Sequence, residues 1–340
     1  MNEDAFTDIS ILIVDGDRKF QFLLMDILET FGFKDMESVS TGDEALEKIT
    51  KKYFDLIITE WDVLPMGGIE LTKRVRTDKG MPDPMVPIIM ISSRADRLNI
   101  QEARDAGVNE FLAKPFSVSA LRDRMISVIE EPREFVISKN FIGPSRRRRT
   151  AQPPGLMERR DRQRKNTDSL GVTVQSDGKT KIVRPSYRIK KKISSVDTLD
   201  KLISLEKIKA AETLIEEGKG EFLSAALREV IKMDKIHYAL VERIRAKLDS
   251  RDMRDLRAIS DIALRVKGLA GIYGYTLASE VARMLSLLAV KKGLPRARSL
   301  EIINVHIHAL EIIFQRNIKG KYGQLGRELI AELEGLLKKE

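Results

Sequence analysis

Residues 56–68 read LIITEWDVLPMGG. The first four, Leu56 to Thr59, are apolar or β-branched, a run of the length and type of a buried strand. Glu60 follows at once, then Trp61, Asp62 and a turn that closes on Pro65-Met66-Gly67-Gly68. Open α/β sheets bind their ligands outside the carboxyl ends of the strands. An acid in that place is therefore a candidate site residue, and the stretch predicts a buried parallel strand together with a functional edge.

Working outward, comparable apolar runs occur at ISILIVD (9–15), VPIIMIS (86–92) and NEFLAK (109–114), with a shorter strand at Met36–Val39. Helical patterns lie between them: Arg18–Phe31, a helix opened by TGDEALEKI from Thr41, Ile69–Arg76, Leu98–Ala106 and Val118–Glu130. Strand and helix alternating in this way predict an α/β, doubly wound sheet of five parallel strands. Parallel strands bring their carboxyl ends to one edge. Asp15, Gly16 and Asp17 after the first strand, Glu60 after the third, Ser92 at the end of the fourth and Lys114 after the fifth should converge in one crevice.

The rest of the chain has a different character. Between Gly143 and Lys192 there are sixteen Lys or Arg residues against four acids, so the net charge of +9 belongs to this stretch and the remainder is slightly acidic. Its composition predicts a mostly disordered connector, with a hairpin about Asp177-Gly178 in VTVQSDGKTKIV. From Val196 onward the pattern is helical, broken at Gly218–Gly220, near Asp249, at Gly293–Pro295 and at Lys319–Gly323, and predicts an all-α helix bundle. The expected organisation is 1–135 for the sheet domain, 136–195 for the connector and 196–340 for the bundle.

Composition excludes several chemistries. Without cysteine there are no disulfides, thiolate metal sites or cysteine nucleophiles. The acidic N-terminus has no secretory pattern, and no stretch reaches the ~20 apolar residues of a membrane helix. A cytoplasmic protein without membrane insertion is expected.

The ordered set ILIVDGD, IITEWDVLPMGG, PIIMISS and AGVNEFLAKPF resembles the receiver domains of two-component response regulators, whose fold is flavodoxin-like. The resemblance covers about 120 residues. It implies that a phosphoryl group passes from a histidine kinase to an aspartate ending the third strand. Two acids after the first strand hold Mg²⁺, and a hydroxyl and a lysine contact the phosphoryl oxygens. Here Asp15 matches the first acid, Ser92 the hydroxyl, Lys114 the lysine and Phe111 the switch aromatic. Two positions depart: Glu60 replaces the phosphoacceptor aspartate, and Gly16 replaces the second acid.

Both departures weaken phosphoryl chemistry. Mg²⁺ requires nearly octahedral oxygen geometry, and Gly16 supplies no side chain. The extra methylene of Glu60 moves its oxygens by about 1 Å, a displacement that costs on the order of 100-fold in rate. No cofactor is therefore expected, the nearest approach to a metal set being Asp15, Asp17 and Glu60. Three readings of Glu60 stand open: an ion pair with Lys114, an imitation of a phosphorylated aspartate that fixes an active surface, or residual phosphorylation.

In the bundle, Leu256, Ile259, Ile262, Ala263, Val266 and Ala270 define a core stripe. Leu264 falls outside it on the helical wheel, with Lys267 and Gly268 on the same exposed face. The run LRVKG (264–268) resembles the His-x-x-Lys-Gly motif of histidine phosphotransfer domains, with Leu264 in place of the histidine. Leucine has no nitrogen nucleophile and cannot carry phosphate. The stretch PREFVISKNFIGPSRRRR resembles the tail that follows receivers in some alphaproteobacterial regulators. The expectation is thus a bacterial signalling protein, not an enzyme. It acts by docking partners such as a histidine kinase or a response regulator. The alternatives are a regulator that accepts phosphate or is constitutively active through Glu60, and a nucleic-acid-associated factor using the basic connector.

Overall fold

The computed structural model describes the chain except residues 1–5, 64, 140, 146–166, 169–170, 177–179, 186–188, 190–191, 194–198, 247–251, 291–296, 321–322 and 339–340. It divides into two compact units. The first comprises Met1–Ala113 and Val118–Glu212, and the second Lys114–Ser117 and Thr213–Glu340.

The first unit is built on strands β1 (Ser10–Val14), β2 (Asp35–Val39), β3 (Leu56–Thr59), β4 (Ile88–Ser92) and β5 (Glu110–Ala113). They form one parallel sheet in the order β2-β1-β3-β4-β5. Helices α1 (Arg18–Phe31), α2 (Gly42–Lys51), α3 (Gly68–Thr77), α4 (Arg97–Ala106) and α5 (Val118–Glu130) make the crossovers. Every residue of β1, β3 and β4 is buried, which is why those runs are apolar without alternation. Local chemistry sets the helix ends. Thr41 and Asp96 cap α2 and α4 through their side chains. Gly32 and Gly107 end α1 and α4 with φ of 108° and 103°, a conformation that costs glycine nothing.

The connector differs from expectation. Its described residues form a second, antiparallel sheet of five strands: β6 (Phe135–Ser138), β7 (Phe141–Pro144), β8 (Thr167–Asp168), β9 (Gly171–Ser176) and β10 (Thr180–Pro185), ordered β7-β6-β10-β9-β8. The expected hairpin is the β9–β10 pair, its turn lying outside the described residues. The arginines at 146–149 and the disorder expected around them also lie outside. The sheet is tied to the first one through Arg76, which is 1% exposed. Arg76 donates to the carbonyl oxygens of Gly107, Pro84 and Val86 and to Asn109 Oδ1, at 2.8–3.1 Å. Its guanidinium lies 5.3 Å from the Phe135 ring centroid. The charge of Arg76 gave no hint of burial, and the partners that permit it are backbone carbonyls, invisible to composition.

The stretch beyond the second sheet also packs on the first unit. Lys192 bonds the buried Asp55 carboxylate at 2.5 Å and the carbonyl of Asp8 at 2.6 Å. The short α6 (Leu199–Leu202) begins with the Leu199 amide on Glu130, and Arg122 donates to the Ile203 carbonyl at 2.9 Å. Lys207, on α7 (Leu205–Glu217), donates to the Phe31 carbonyl at 2.8 Å. Leu199 and Ile203 are buried there. The first compact unit accordingly runs on to Glu212, inside α7.

The second unit contains α8 (Lys219–Arg245), α9 (Asp252–Ile272), α10 (Thr276–Ala289), α11 (Ala297–Gln315) and α12 (Gln324–Lys338). Helix α8 packs on α9 and α11, and α10 closes the ring between them, giving a four-helix bundle with α12 against α10 and α11. The predicted stripe from Leu256 to Ala270 lies in its core. One break escaped the sequence reading. Gly274, at φ 83°, ends α9, while the Tyr275 and Gly274 amides donate back to the carbonyls of Ala270 and Gly271. That pairing is a glycine-dependent helix stop. Nearby Gly268 and Gly271 sit inside the helix, so glycine alone did not mark the end.

Candidate functional site

The strand order places the reversal of winding between β1 and β3, and in such sheets the crevice lies at the carboxyl ends of the strands there. Asp15 directly follows β1 and Glu60 directly follows β3. The Glu60 amide donates to the Val14 carbonyl at 2.8 Å, and the Asp15 amide to that of Val39 at 3.2 Å. The backbone ladder itself therefore holds the two acids side by side. Ser92 closes β4 and Lys114 follows β5. Asp15, Glu60, Ser92 and Lys114 are all buried.

The side chains of Asp15, Glu60 and Ser92 have identifiable work. Asp15 Oδ1 accepts the Asp17 amide at 2.8 Å. Asp17 is the N-cap of α1, its carboxylate accepting from the amides of Lys19 and Phe20. Gly16 between them is exposed. A Cβ built there meets nothing nearer than 4.0 Å, the carbonyls of Asp62 and Ser40. Glu60 Oε1 accepts its neighbour's amide, Trp61 N–H, at 2.7 Å. Ser92 Oγ accepts the Arg94 amide at 3.1 Å. Phe111 on β5 and Trp61 are half-buried and pack against the domain core.

The turn after Glu60 is shaped by glycine. A Cβ on Gly68 would stand 2.0 Å from the Glu60 carbonyl oxygen, and one on Gly42 would stand 2.5 Å from that of Met66. Only glycine admits so close a backbone approach at these two points, one in the turn and one at the start of α2.

Two features escaped the sequence reading. Gln21, buried on α1, donates to the carbonyls of Asp15 and Val39 and so fixes the loop after β1. Its position four residues after the Asp17 cap, facing inward on the first turn, was the available signal. Arg94 pairs with Asp62 at 2.6 Å and bridges the loops after β4 and β3. Both side chains are about two-fifths exposed, and nothing in the spacing of the two residues announces the pair.

In the bundle, Leu264 and Lys267 are half-buried rather than fully exposed, and Gly268 is buried. Leu264 is not a member of the hydrophobic core of the bundle. Buried His306 and exposed His308 lie on different faces of α11. Among the described residues no three His, Asp or Glu side chains gather as a metal-ligand set, and no helix is long and apolar enough to cross a membrane.

A parallel sheet in this strand order defines the flavodoxin-like class of doubly wound domains. A family model for the response regulator receiver domain matches residues 11–126. Over 123 residues the chain is 32% identical to chemotaxis protein CheY-3 of Vibrio cholerae, covering 36% of this chain and 93% of that protein. It is 31% identical over 122 residues to chemotaxis protein CheY of Pseudomonas aeruginosa, covering 36% and 97%. The structure of the chemotaxis response regulator CheY4 of Vibrio cholerae aligns with 29% identity over 36% of this chain and 99% of that one, with a TM-score of 0.33. Through this domain the chain belongs to the response regulator receiver family.

Proposed function

We propose that this receiver signals by docking and does not take up phosphate in the ordinary way. One observation carries the reading: the acids at the crevice are absent or engaged. Gly16 offers no oxygen, Asp17 caps α1, and Glu60 turns one oxygen onto the Trp61 amide. Asp15 alone does not make the octahedral oxygen set that Mg²⁺ requires, so the residues present do not fit the ion. Without a metal beside it, phosphoryl transfer lacks its main charge neutralisation. The Trp61 contact supports Glu60 as a structural residue of the loop more than as an outward imitation of a phosphoryl group.

The bundle extends the reading. Its LRVKG stretch has Leu264 where a phosphotransfer histidine would stand, and a leucine there favours docking over phosphoryl transfer. The partner class is a histidine kinase or another response regulator.

The test is incubation of the full chain with acetyl phosphate and Mg²⁺, followed by intact-mass spectrometry. The expected outcome is an unmodified chain. An acyl phosphate on Glu60 would overturn the proposal and favour the regulator that still accepts phosphate.

A further inference from the structure

Helix α8 exposes two large apolar side chains among its described residues, Ile231 (49% exposed) and Tyr238 (67%). They stand seven residues apart on the side away from the core residues Val230, Met233 and Leu240. Arg228, Lys235 and Glu242 are exposed on the same stripe. The steps from Arg228 to Glu242 alternate three and four, the spacing of a helix–helix seam. The stripe is also nearly symmetric about Lys235. Arg228 and Glu242 lie seven residues to either side of it, Ile231 four before it and Tyr238 three after it.

We propose that this stripe binds a second copy of the chain, α8 against α8 in antiparallel orientation. A two-fold interface makes every contact twice. Arg228 then meets the partner's Glu242, and Ile231 meets the partner's Tyr238. The charges at mirror positions are opposite, so the helix supplies its own complement. The central layer sets Lys235 against its own copy, and the adjacent exposed Asp234 offers each lysine an opposite charge. Glu242 already pairs with Arg245 at 3.1 Å. That pair is solvent-exposed, and such pairs exchange partners at little cost.

Sedimentation equilibrium on the full chain tests the proposal. The unaltered protein should dimerise with rising concentration. Tyr238→Asp should raise the dissociation constant by at least about tenfold, since it replaces a buried aromatic contact with a charge on both copies. Arg228→Glu should weaken the dimer too, by setting like charges together. The double variant Arg228→Glu, Glu242→Arg should recover the unaltered affinity, because each pair is re-formed with its signs exchanged. Circular dichroism checks that the helices persist. If Tyr238→Asp loses helix, the charge series alone decides. A chain that stays monomeric at every concentration overturns the proposal. So does a dimer indifferent to these changes, or a double variant no better than the single one.

Discussion

At the scale of the residue, the informative positions are those where chemistry and place disagree. Gly16 and Glu60 were legible in the sequence because strand ends are legible, and the structure adds what their neighbours do. Asp17 is not a spare ligand, because its carboxylate caps α1. Supplying a second acid to the crevice on the proposed reading takes Gly16→Asp with Glu60→Asp, and the 4.0 Å clearance at Gly16 leaves room for the first. The double variant should bind Mg²⁺ in a titration followed by Trp61 fluorescence, whereas the unaltered protein should show no saturable change. Arg76 was not legible. It is a buried charge held by backbone carbonyls, whose arrangement only the fold creates. Arg76→Ala leaves several acceptors without donors and should cost at least about 3 kcal/mol by denaturant unfolding. Arg76→Lys should also destabilise, since an ammonium cannot reproduce the guanidinium fork.

At the scale of the element, strands and helices of the first domain could be read almost to the residue. α1 at Arg18–Phe31 and α5 at Val118–Glu130 lie where their amphipathic patterns predict. The second sheet was less legible because its strands are short and separated by polar, basic stretches. Helices α8 and α11 hold a different kind of information, since two histidines lie within the bundle. His237 Nε2 meets the Leu300 carbonyl at 2.9 Å, and His306 Nε2 has no hydrogen-bond partner among the described residues. Burial holds both imidazoles below the usual histidine range. In the unfolded chain they take up protons near pH 6.5, while the folded bundle resists. Stability should therefore fall as pH drops below about 6.5, until the lowered folded values are reached. Thermal unfolding of the bundle followed between pH 7.5 and about 5.5 checks the sign. His306→Leu should flatten the profile, and a bundle that gains stability on acidification would contradict the account.

At the scale of the molecule, the end of the first unit is set by contacts that composition does not display. That unit extends into α7 because Leu199, Ile203 and Lys207 belong to it by burial and hydrogen bonding. A fragment ending at Glu212 should accordingly melt several degrees above one ending at 195, which strips those contacts from Phe31, Arg122 and Glu130. Equal melting temperatures would show that the strap contributes nothing. The open space around Gly16 also has a hereditary meaning. Every glycine codon is one base from a codon for either aspartate or glutamate, and glutamate and aspartate codons differ in the third base alone. A lineage carrying this gene thus meets no steric obstacle to an acid at position 16, and a genetic selection for phosphoryl signalling should recover acidic substitutions at position 16 and Glu60→Asp before changes elsewhere in the domain.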